Sequence, residues 1–204
     1  PPPAMTPSVP PVGANAPPTP AEFYADTASL NIAVGGMAMP PSTGKYWYDF
    51  TNLRSKFGQD SPGGGPTVYD LKLYNNEREY AFYTQGGVTH CKACKLTNTM
   101  YPLEVPGTAT FQGAGAVVGS GASTQRWVNT AALPGLPGLT ATYDVAGDGS
   151  GSNYVSRADF KFSMLDVTFT FGPVSTSSIA ASTWTVPSAC SSLVPVTLSN
   201  NDQC

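Results

Sequence analysis

Short runs in which apolar and polar residues alternate constrain the fold of this 204-residue chain more than any other feature. Residues 45–52, 67–74 and 79–84 each repeat with period two, so every second side chain falls on the same side of an extended backbone. A glycine- and proline-rich break at residues 61–66 separates the first two runs, and a Gly-Gly pair at residues 86–87 follows the third. The pattern is typical of antiparallel strands with one buried face.

Similar runs continue along the rest of the chain, and no segment carries an apolar stripe with the 3.6-residue period of a helix. We therefore predict an all-β fold, built as a curved antiparallel sheet, half-barrel or sandwich of about ten strands. Further strands are predicted near residues 88–96, 108–118, 124–129, 139–145, 153–162, 165–171 and 183–186.

Three local features complete this prediction. Residues 22–29 are interpreted as a polar transition that holds a hinge or a single helical turn. The Asn-Asn pair at 75–76 suits a tight hairpin turn. The apolar positions change phase within residues 158–171, which one flat strand does not allow, so we expect a bulge or turn near residues 163–164.

Residues 1–22 form a proline-rich arm ahead of a predicted single β domain over residues 23–204. Proline fixes φ and lacks a backbone donor, so we predict an extended polyproline-type segment without a core of its own. We expect the arm to be held by its own domain, a neighbouring copy or attached groups. The residues predicted to mediate assembly are Pro1, Pro2, Pro3, Pro7, Val9, Pro10, Pro11, Val12, Pro17, Pro18 and Pro20.

The composition favours a secreted, extracellular protein. Only 11% of residues are charged, against roughly 25% in an ordinary soluble domain. The few basic residues are not clustered, which argues against a nucleic-acid partner, and no apolar run is long enough for a transmembrane segment. A chain that starts at Pro1 favours removal of a signal peptide. Without any Asn-x-Ser/Thr sequence, glycans would be O-linked, at Thr6, Ser8, Thr19 or modified prolines.

The cysteines support the same location. There are four of them: Cys91, Cys94, Cys190 and Cys204. An extracellular chain with an even number of cysteines is expected to form disulfides, here two. We favour an arrangement in which the two C-terminal cysteines join the Cys91–Cys94 region. The main alternative pairs Cys91 with Cys94 and Cys190 with Cys204.

The candidate chemical motifs predict no catalytic, metal or cofactor site. The Cys-x-x-Cys motif has strand-like flanks, whereas a redox motif uses a helix N-terminus to lower the thiol pKa. His90 and Cys91 would point to opposite faces of a strand, which disfavours a zinc site. His90 is the only histidine, and nothing in the sequence singles out a pair of carboxylates for hydrolysis. We therefore expect the chain not to be an enzyme.

Aromatic residues are dense in the first predicted strands. They are candidates to line a groove for carbohydrate or lipid, or to anchor the core that a β domain needs. Because aromatic residues occupy both sides of residues 45–50, we expect both faces to be covered, the second by a neighbour's arm. The candidate groove residues are Tyr46, Trp47, Tyr48, Phe50, Tyr80, Phe82 and Tyr83.

Several short motifs between residues 44 and 190 occur in an order that matches a known family. They are Tyr46-Trp-Tyr-Asp-Phe50 with Asn52 and Arg54, Leu71–Tyr74, Glu79–Phe82, Cys91, Gly113–Gly119, Gln125-Arg-Trp127, Phe171-Gly172, Trp184-Thr-Val-Pro187 and Cys190. In this order the chain resembles secreted ependymin-like proteins, whose open β half-barrel is shared with bacterial lipoprotein carriers. The family's helices are hard to place here, glycines are more abundant, and the arm lies outside the resemblance.

The resemblance implies a concave apolar face suited to a lipid-like ligand or to a segment of a neighbouring molecule, and it implies no catalysis. Combined with the arm, it favours a secreted structural subunit that assembles with other copies of itself into a fibre or layer. The alternatives are a soluble binder of a hydrophobic ligand and, third, a carbohydrate-binding or hydrolytic module on a proline-rich linker. Attached glycans are a further expected partner.

Overall fold

The computed structural model describes residues 17–100, 102–115, 124–130, 138–147, 153–197 and 204. The all-β prediction is confirmed, since these residues form thirteen strands and three short helices. The strands are β1 (Glu22–Val34), β2 (Met37–Ala38), β3 (Ser42–Asp49), β4 (Arg54–Gln59), β5 (Val68–Leu73), β6 (Arg78–Gln85), β7 (Val88–Lys95), β8 (Thr110–Ala114), β9 (Gln125–Asn129), β10 (Thr140–Gly147), β11 (Asn153–Phe162), β12 (Leu165–Phe171) and β13 (Val174–Ser175). The helices are two 3-10 turns, Tyr74–Asn76 and Ala181–Trp184, and one α-helical turn, α1 (Ser188–Ser191).

These elements group into two compact units. Unit 1 takes the described residues of Pro1–Pro20, Thr27–Ser42 and Leu103–Ser175, and unit 2 those of Ala21–Asp26, Thr43–Pro102 and Thr176–Cys204. The long strand β1 therefore contributes its first residues to unit 2 and the rest to unit 1. The predicted division into residues 1–22 and 23–204 stays a prediction.

Unit 2 is an antiparallel arrangement in the order β7, β6, β5, β4, β3 and the start of β1. Its register places Lys56 beside both Trp47 and Leu71, and Leu71 beside Tyr80. Leu71 and Tyr80 are buried together with Phe82 under the C-terminal segment of the chain. The predicted alternation in these strands thus places Leu71, Tyr80 and Phe82 on the same face, as its period requires.

Unit 1 is antiparallel as well, in the order end of β1, β12, β11, β10, β9 and β8. One face is a core formed around Trp127, Tyr143, Val155 and Ala158. The opposite face carries charged and hydroxyl side chains. Two-sided strands of this kind explain why the sequence alternates so strictly between apolar and polar residues.

Two predicted turns are confirmed. Phe162 pairs with Leu165, so residues 163–164 form the turn of the β11–β12 hairpin, and Ser163 adopts a φ of 50°. The Asn-Asn pair lies in the 3-10 turn Tyr74–Asn76. That connection has four residues, because β5 ends at Leu73 and β6 begins at Arg78.

Two predictions are wrong. Residues 22–29 belong to strand β1, which buries Phe23 and Ala25 on one side and leaves Asp26 exposed. The sequence did not reveal this alternation because Ala25, one of the two buried residues, is too small to mark an apolar position clearly. Residues 183–186 are not a strand, because Thr183 and Trp184 belong to the 3-10 turn Ala181–Trp184. The arm residues Pro1–Val12 lie outside the described residues, so their conformation stays a prediction.

Candidate functional site

The seven candidate groove aromatics do not line a single surface, because the register of unit 2 divides them between two faces. Trp47, Tyr80 and Phe82 share one face with Lys56 and Tyr69, whereas Tyr46, Tyr48 and Tyr83 occupy positions of opposite parity. Phe50 follows the end of β3 and stacks on Tyr48, with ring centroids 6.4 Å apart. Their proposed role in binding stays a prediction.

The face that carries Trp47 is covered by the chain's own C-terminal segment. Trp184 and Cys190 are buried against it, and Ile179 packs there as well. The carboxylate of Glu22 accepts a hydrogen bond from the backbone N–H of Ile179 at 2.9 Å. This cover comes from residues 179–193 of the same chain. A neighbour's arm, which we expected to cover one of the two faces, is not needed for this one.

Lys56 is enclosed beneath this cover. Its ammonium group lies 4.6 Å from the ring centroid of Tyr69 and 5.5 Å from that of Trp47, and it donates a 3.1 Å hydrogen bond to the carbonyl of Thr183. Burial lowers the pKa of Lys56. The cation is held by the aromatic rings and by one carbonyl, and these contacts fix the cover in place. Lys56 and the rings around it therefore have a structural role.

The cysteines form two disulfides, Cys91–Cys190 and Cys94–Cys204, with Cα–Cα distances of 5.5 and 5.7 Å. This is the favoured arrangement, in which both C-terminal cysteines join the Cys91–Cys94 region. The Cys-x-x-Cys motif is therefore fully engaged, and the ring of His90 stacks on that of Tyr83 at 4.8 Å. The described residues bring together no cluster of three or more potential metal ligands.

A half-buried charged cluster occupies the other face of unit 2. The ammonium of Lys72 lies 2.8 Å from the carboxylate of Asp70 and 3.5 Å from that of Glu79. Burial, followed by the charge of Asp70, raises the pKa of Glu79. Burial opposes the charge of Lys72, but the two carboxylates outweigh it and raise its pKa. One ammonium group thus lies between two carboxylates and offsets part of their charge, which reduces the cost of taking them partly out of water.

The polar face of unit 1 contains an open groove of about 630 Å³. We call it the polar groove, lined by Asn31, Ile32, Ala33, Ala38, Met39, Arg126, Thr142, Arg157, Asp159, Lys161, Asp166 and Thr168. Strands β1, β2, β9, β10, β11 and β12 supply all of these residues except Met39, which directly follows β2. Sequence reasoning missed the groove because its members become neighbours only through strand register.

Two bidentate ion pairs organise the polar groove. Arg126 donates to both oxygens of the buried Asp144 at 2.8 and 2.9 Å. Arg157 donates in the same way to Asp159, at 2.8 and 2.9 Å, and the hydroxyl of Thr168 adds a 2.6 Å hydrogen bond to Asp159. These hydrogen bonds to carboxylate raise the pKa of both arginines, although burial opposes their charge. Bidentate arginine–carboxylate pairs of this kind hold the guanidinium planes in fixed orientations.

Large apolar side chains are exposed at one end of unit 1. We call this surface the methionine tip, formed by Val34, Met37, Met39, Met164 and Leu165. Met37 and Met164 are 76% and 70% exposed. The residues are neighbours by backbone pairing, since Val34 lies opposite both Met37 and Leu165, and the amide of Gly35 donates to the carbonyl of Met164 at 2.7 Å.

Thr19 is the arm's candidate glycan site that falls within the described residues. Its hydroxyl donates a 3.1 Å hydrogen bond to the carbonyl of Leu103. The arm is therefore attached to unit 1 at this point. The other two candidate sites, Thr6 and Ser8, lie outside the described residues, and glycosylation stays a prediction.

Comparisons with models of known protein families and with curated proteins give no match to this chain. Of the helices described in the structure, none is long and apolar enough to cross a membrane. The functional argument therefore depends on the two surfaces of unit 1, the methionine tip and the polar groove.

Proposed function

We propose that this chain is a secreted structural subunit that assembles with copies of itself into an extracellular fibre or layer. In this assembly the N-terminal arm of one copy docks on a neighbouring copy. The methionine tip is the observation that carries the proposal, because exposed apolar clusters of this kind mark interaction surfaces in soluble proteins.

Two further observations support an assembled, extracellular protein. Both disulfides join strand β7 to the C-terminal segment, so covalent bonds reinforce unit 2, as is common in secreted domains. The low content of charged residues, 11%, leaves little like-charge repulsion between copies. A head-to-tail contact that does not close would produce an open polymer from such subunits.

The alternative, a soluble binder of a hydrophobic ligand, rests on the family resemblance and on the aromatic residues of the first strands, which the register divides between two faces. The polar groove of unit 1 is lined largely by charged and hydroxyl side chains, and charged side chains also line a groove of about 400 Å³ in unit 2, where Glu77 and Lys95 face it. Neither groove offers the mostly apolar lining that a lipid-like ligand prefers.

Imaging tests the proposal. The disulfide-bonded full chain should sediment as large particles above a threshold concentration, and electron micrographs should show a filament or layer with one repeating subunit. A chain that remains monomeric at every concentration, with its disulfides intact, would contradict the proposed function. Mass spectrometry of the same sample would detect a co-purified lipid, which is the result that the alternative requires.

A further inference from the structure

The methionine tip and the polar groove form a continuous surface on unit 1. Met39 belongs to both, since it is 54% exposed and also lines the groove. Its amide donates to the carbonyl of Ile32 at 2.8 Å, which fixes it beside strand β1. A ligand that covers the tip would therefore reach the groove without leaving the protein surface.

The charges of the polar groove select an electrically neutral ligand. Three basic side chains, Arg126, Arg157 and Lys161, are matched by the carboxylates of Asp159, Asp166 and the Asp144 partner of Arg126. A polyanion or a polycation would face as much repulsion as attraction. An uncharged ligand would face neither.

The same side chains offer hydrogen-bond donors. A guanidinium has five N–H donors, and Arg126 and Arg157 each direct two of their hydrogen bonds to their own carboxylate. Lys161 is exposed and adds an ammonium group. The groove thus favours a ligand that presents carbonyl or hydroxyl oxygens, next to apolar groups that can cover the tip.

The chain's own arm has this composition. Residues 1–16 contain no Lys, Arg, Asp or Glu, and six of them are proline. Each proline keeps a carbonyl acceptor but lacks the N–H donor that would compete for it. Proline rings, together with Val9 and Val12, supply apolar groups, and methionine side chains adapt readily to irregular apolar partners.

The dimensions are compatible. The groove crosses from β9 to β1, which spans four strand intervals or ~19 Å. A polyproline segment rises ~3.1 Å per residue, so about six residues would cross it. The remaining residues of the 16 could extend ~30 Å, which allows the arm to leave its attachment at Thr19 and reach another copy.

The geometry points to one binding arrangement: residues 1–16 of one copy bind the methionine tip and the polar groove of another copy. The proline rings cover Met37, Met39 and Met164, and the arm's carbonyls accept hydrogen bonds from Arg126, Arg157 and Lys161. This inference rests on the proposed function, and it adds the surface and the chemistry of the contact.

Photo-crosslinking within the assembled full chain tests the inference. Val9 is replaced by the photo-reactive residue p-benzoylphenylalanine, and equal amounts of ¹⁴N- and ¹⁵N-labelled protein are assembled, irradiated and analysed by mass spectrometry. Benzophenone inserts preferentially into accessible C–H bonds such as those of methionine. We expect crosslinks that join a labelled chain to an unlabelled chain within residues 32–39 or 161–168.

The other outcomes are distinguishable. Crosslinks between chains at a different surface would overturn the assigned site but leave the proposed function intact. Crosslinks confined to a single chain would overturn both, because the arm would then dock on its own copy. A reaction that yields no crosslink from position 9 would overturn the assigned site, provided that the irradiated sample is assembled.

Matched variants provide an independent measurement. Met39→Lys should raise the threshold concentration for assembly at least tenfold, because it places a charge where an apolar arm docks. Val194→Lys, at an 84% exposed apolar position of unit 2, should leave the threshold unchanged. Equal effects of both variants would overturn the assigned site.

A polysaccharide column tests a glycan as the ligand. The groove would be assigned to a glycan instead if the full chain is retained on an immobilised polysaccharide, if Met39→Lys abolishes this retention, and if a peptide of residues 1–16 does not reduce it.

Discussion

Cys91 and Cys94 lie three residues apart on strand β7, and their side chains leave opposite faces of that strand. Cys91 joins Cys190, which is buried in the cover of the Trp47 face, and Cys94 joins Cys204 at the end of the chain. Between these bonds Val196 lies opposite Cys94 in a parallel bridge. Its N–H donates to the carbonyl of Ala93 and its carbonyl accepts from the N–H of Lys95, both at 2.9 Å. The C-terminal segment therefore covers one face and then protects part of the β7 edge, where unpaired backbone groups would otherwise invite wrong pairing.

The first prediction concerns the Cys91–Cys190 disulfide. Replacing both residues by serine should lower the free energy of unfolding by about 4 kcal/mol, since the bond closes a long loop in the unfolded chain. Its sequence separation is 99 residues. Urea denaturation followed by tryptophan fluorescence measures the loss, and the double variant Cys94→Ser with Cys204→Ser is the comparison. Peptide mapping without reduction should recover the two disulfides described above, and a Cys91–Cys94 peptide would contradict the pairing.

The second prediction concerns the buried carboxylate of Asp49. It is 1% exposed and accepts hydrogen bonds from the backbone and side-chain amides of Asn52, at 3.0 and 2.8 Å, and from Arg54 at 2.7 Å. Burial opposes its charge, but these hydrogen bonds outweigh burial and hold the pKa of Asp49 below its usual value. Asp49→Asn should cost about 3 kcal/mol at neutral pH, because it breaks a buried ion pair.

The same group makes stability depend on pH. A lowered folded-state pKa gives stability that is fully present above the unfolded pKa of ~3.9 and is lost as the pH falls through the lower folded value. The difference between wild type and Asp49→Asn should therefore shrink below about pH 4. Urea unfolding at pH 7, 5 and 3 measures it, with Asp60→Asn at an exposed position as control. If the difference in free energy of unfolding between wild type and Asp49→Asn stays constant down to pH 3, the ionised form of Asp49 is not the one that stabilises the fold.

The third prediction concerns Gly58 on strand β4. A Cβ atom at this position would lie 2.9 Å from the ring of Tyr69 and 3.3 Å from that of Trp47. Gly58→Ala should therefore displace the aromatic groups that enclose Lys56 and cost about 2 kcal/mol. Gly107→Ala is the matched control, because a Cβ atom there meets nothing within 4 Å. Thermal unfolding should separate the two variants, and equal melting temperatures would refute the close approach of Tyr69 to Gly58.

The sequence predicted those elements whose own residues determine them. Strands β11 and β12 have the predicted bounds because the apolar positions change phase at Ser163 and Met164, which form the turn between the two strands. Strand β4 was missed because Phe57 is its only large apolar residue. Its conformation is imposed by pairing with β3 on one side and β5 on the other.

The candidate site was beyond prediction for a related reason. Arg126 and Asp144 are 18 positions apart, and only the register of β9 against β10 places them side by side. The methionine tip depends in the same way on the pairing of Val34 with Leu165. Hydrophobicity identifies such residues as apolar but does not show whether they are buried or exposed.

Removal of residues 1–16 tests the central claim, assembly through the arm, most directly. The deletion stops before Thr19 and Glu22. The hydrogen bond of Thr19 to Leu103 lies within unit 1 and that of Glu22 to Ile179 within unit 2, so both are kept. Circular dichroism and urea unfolding serve as the control, which checks that the shortened chain folds as the full chain does. Sedimentation and electron microscopy then compare assembly at equal concentrations. We predict that the folded, shortened chain remains monomeric, whereas polymers indistinguishable from those of the full chain would contradict the account.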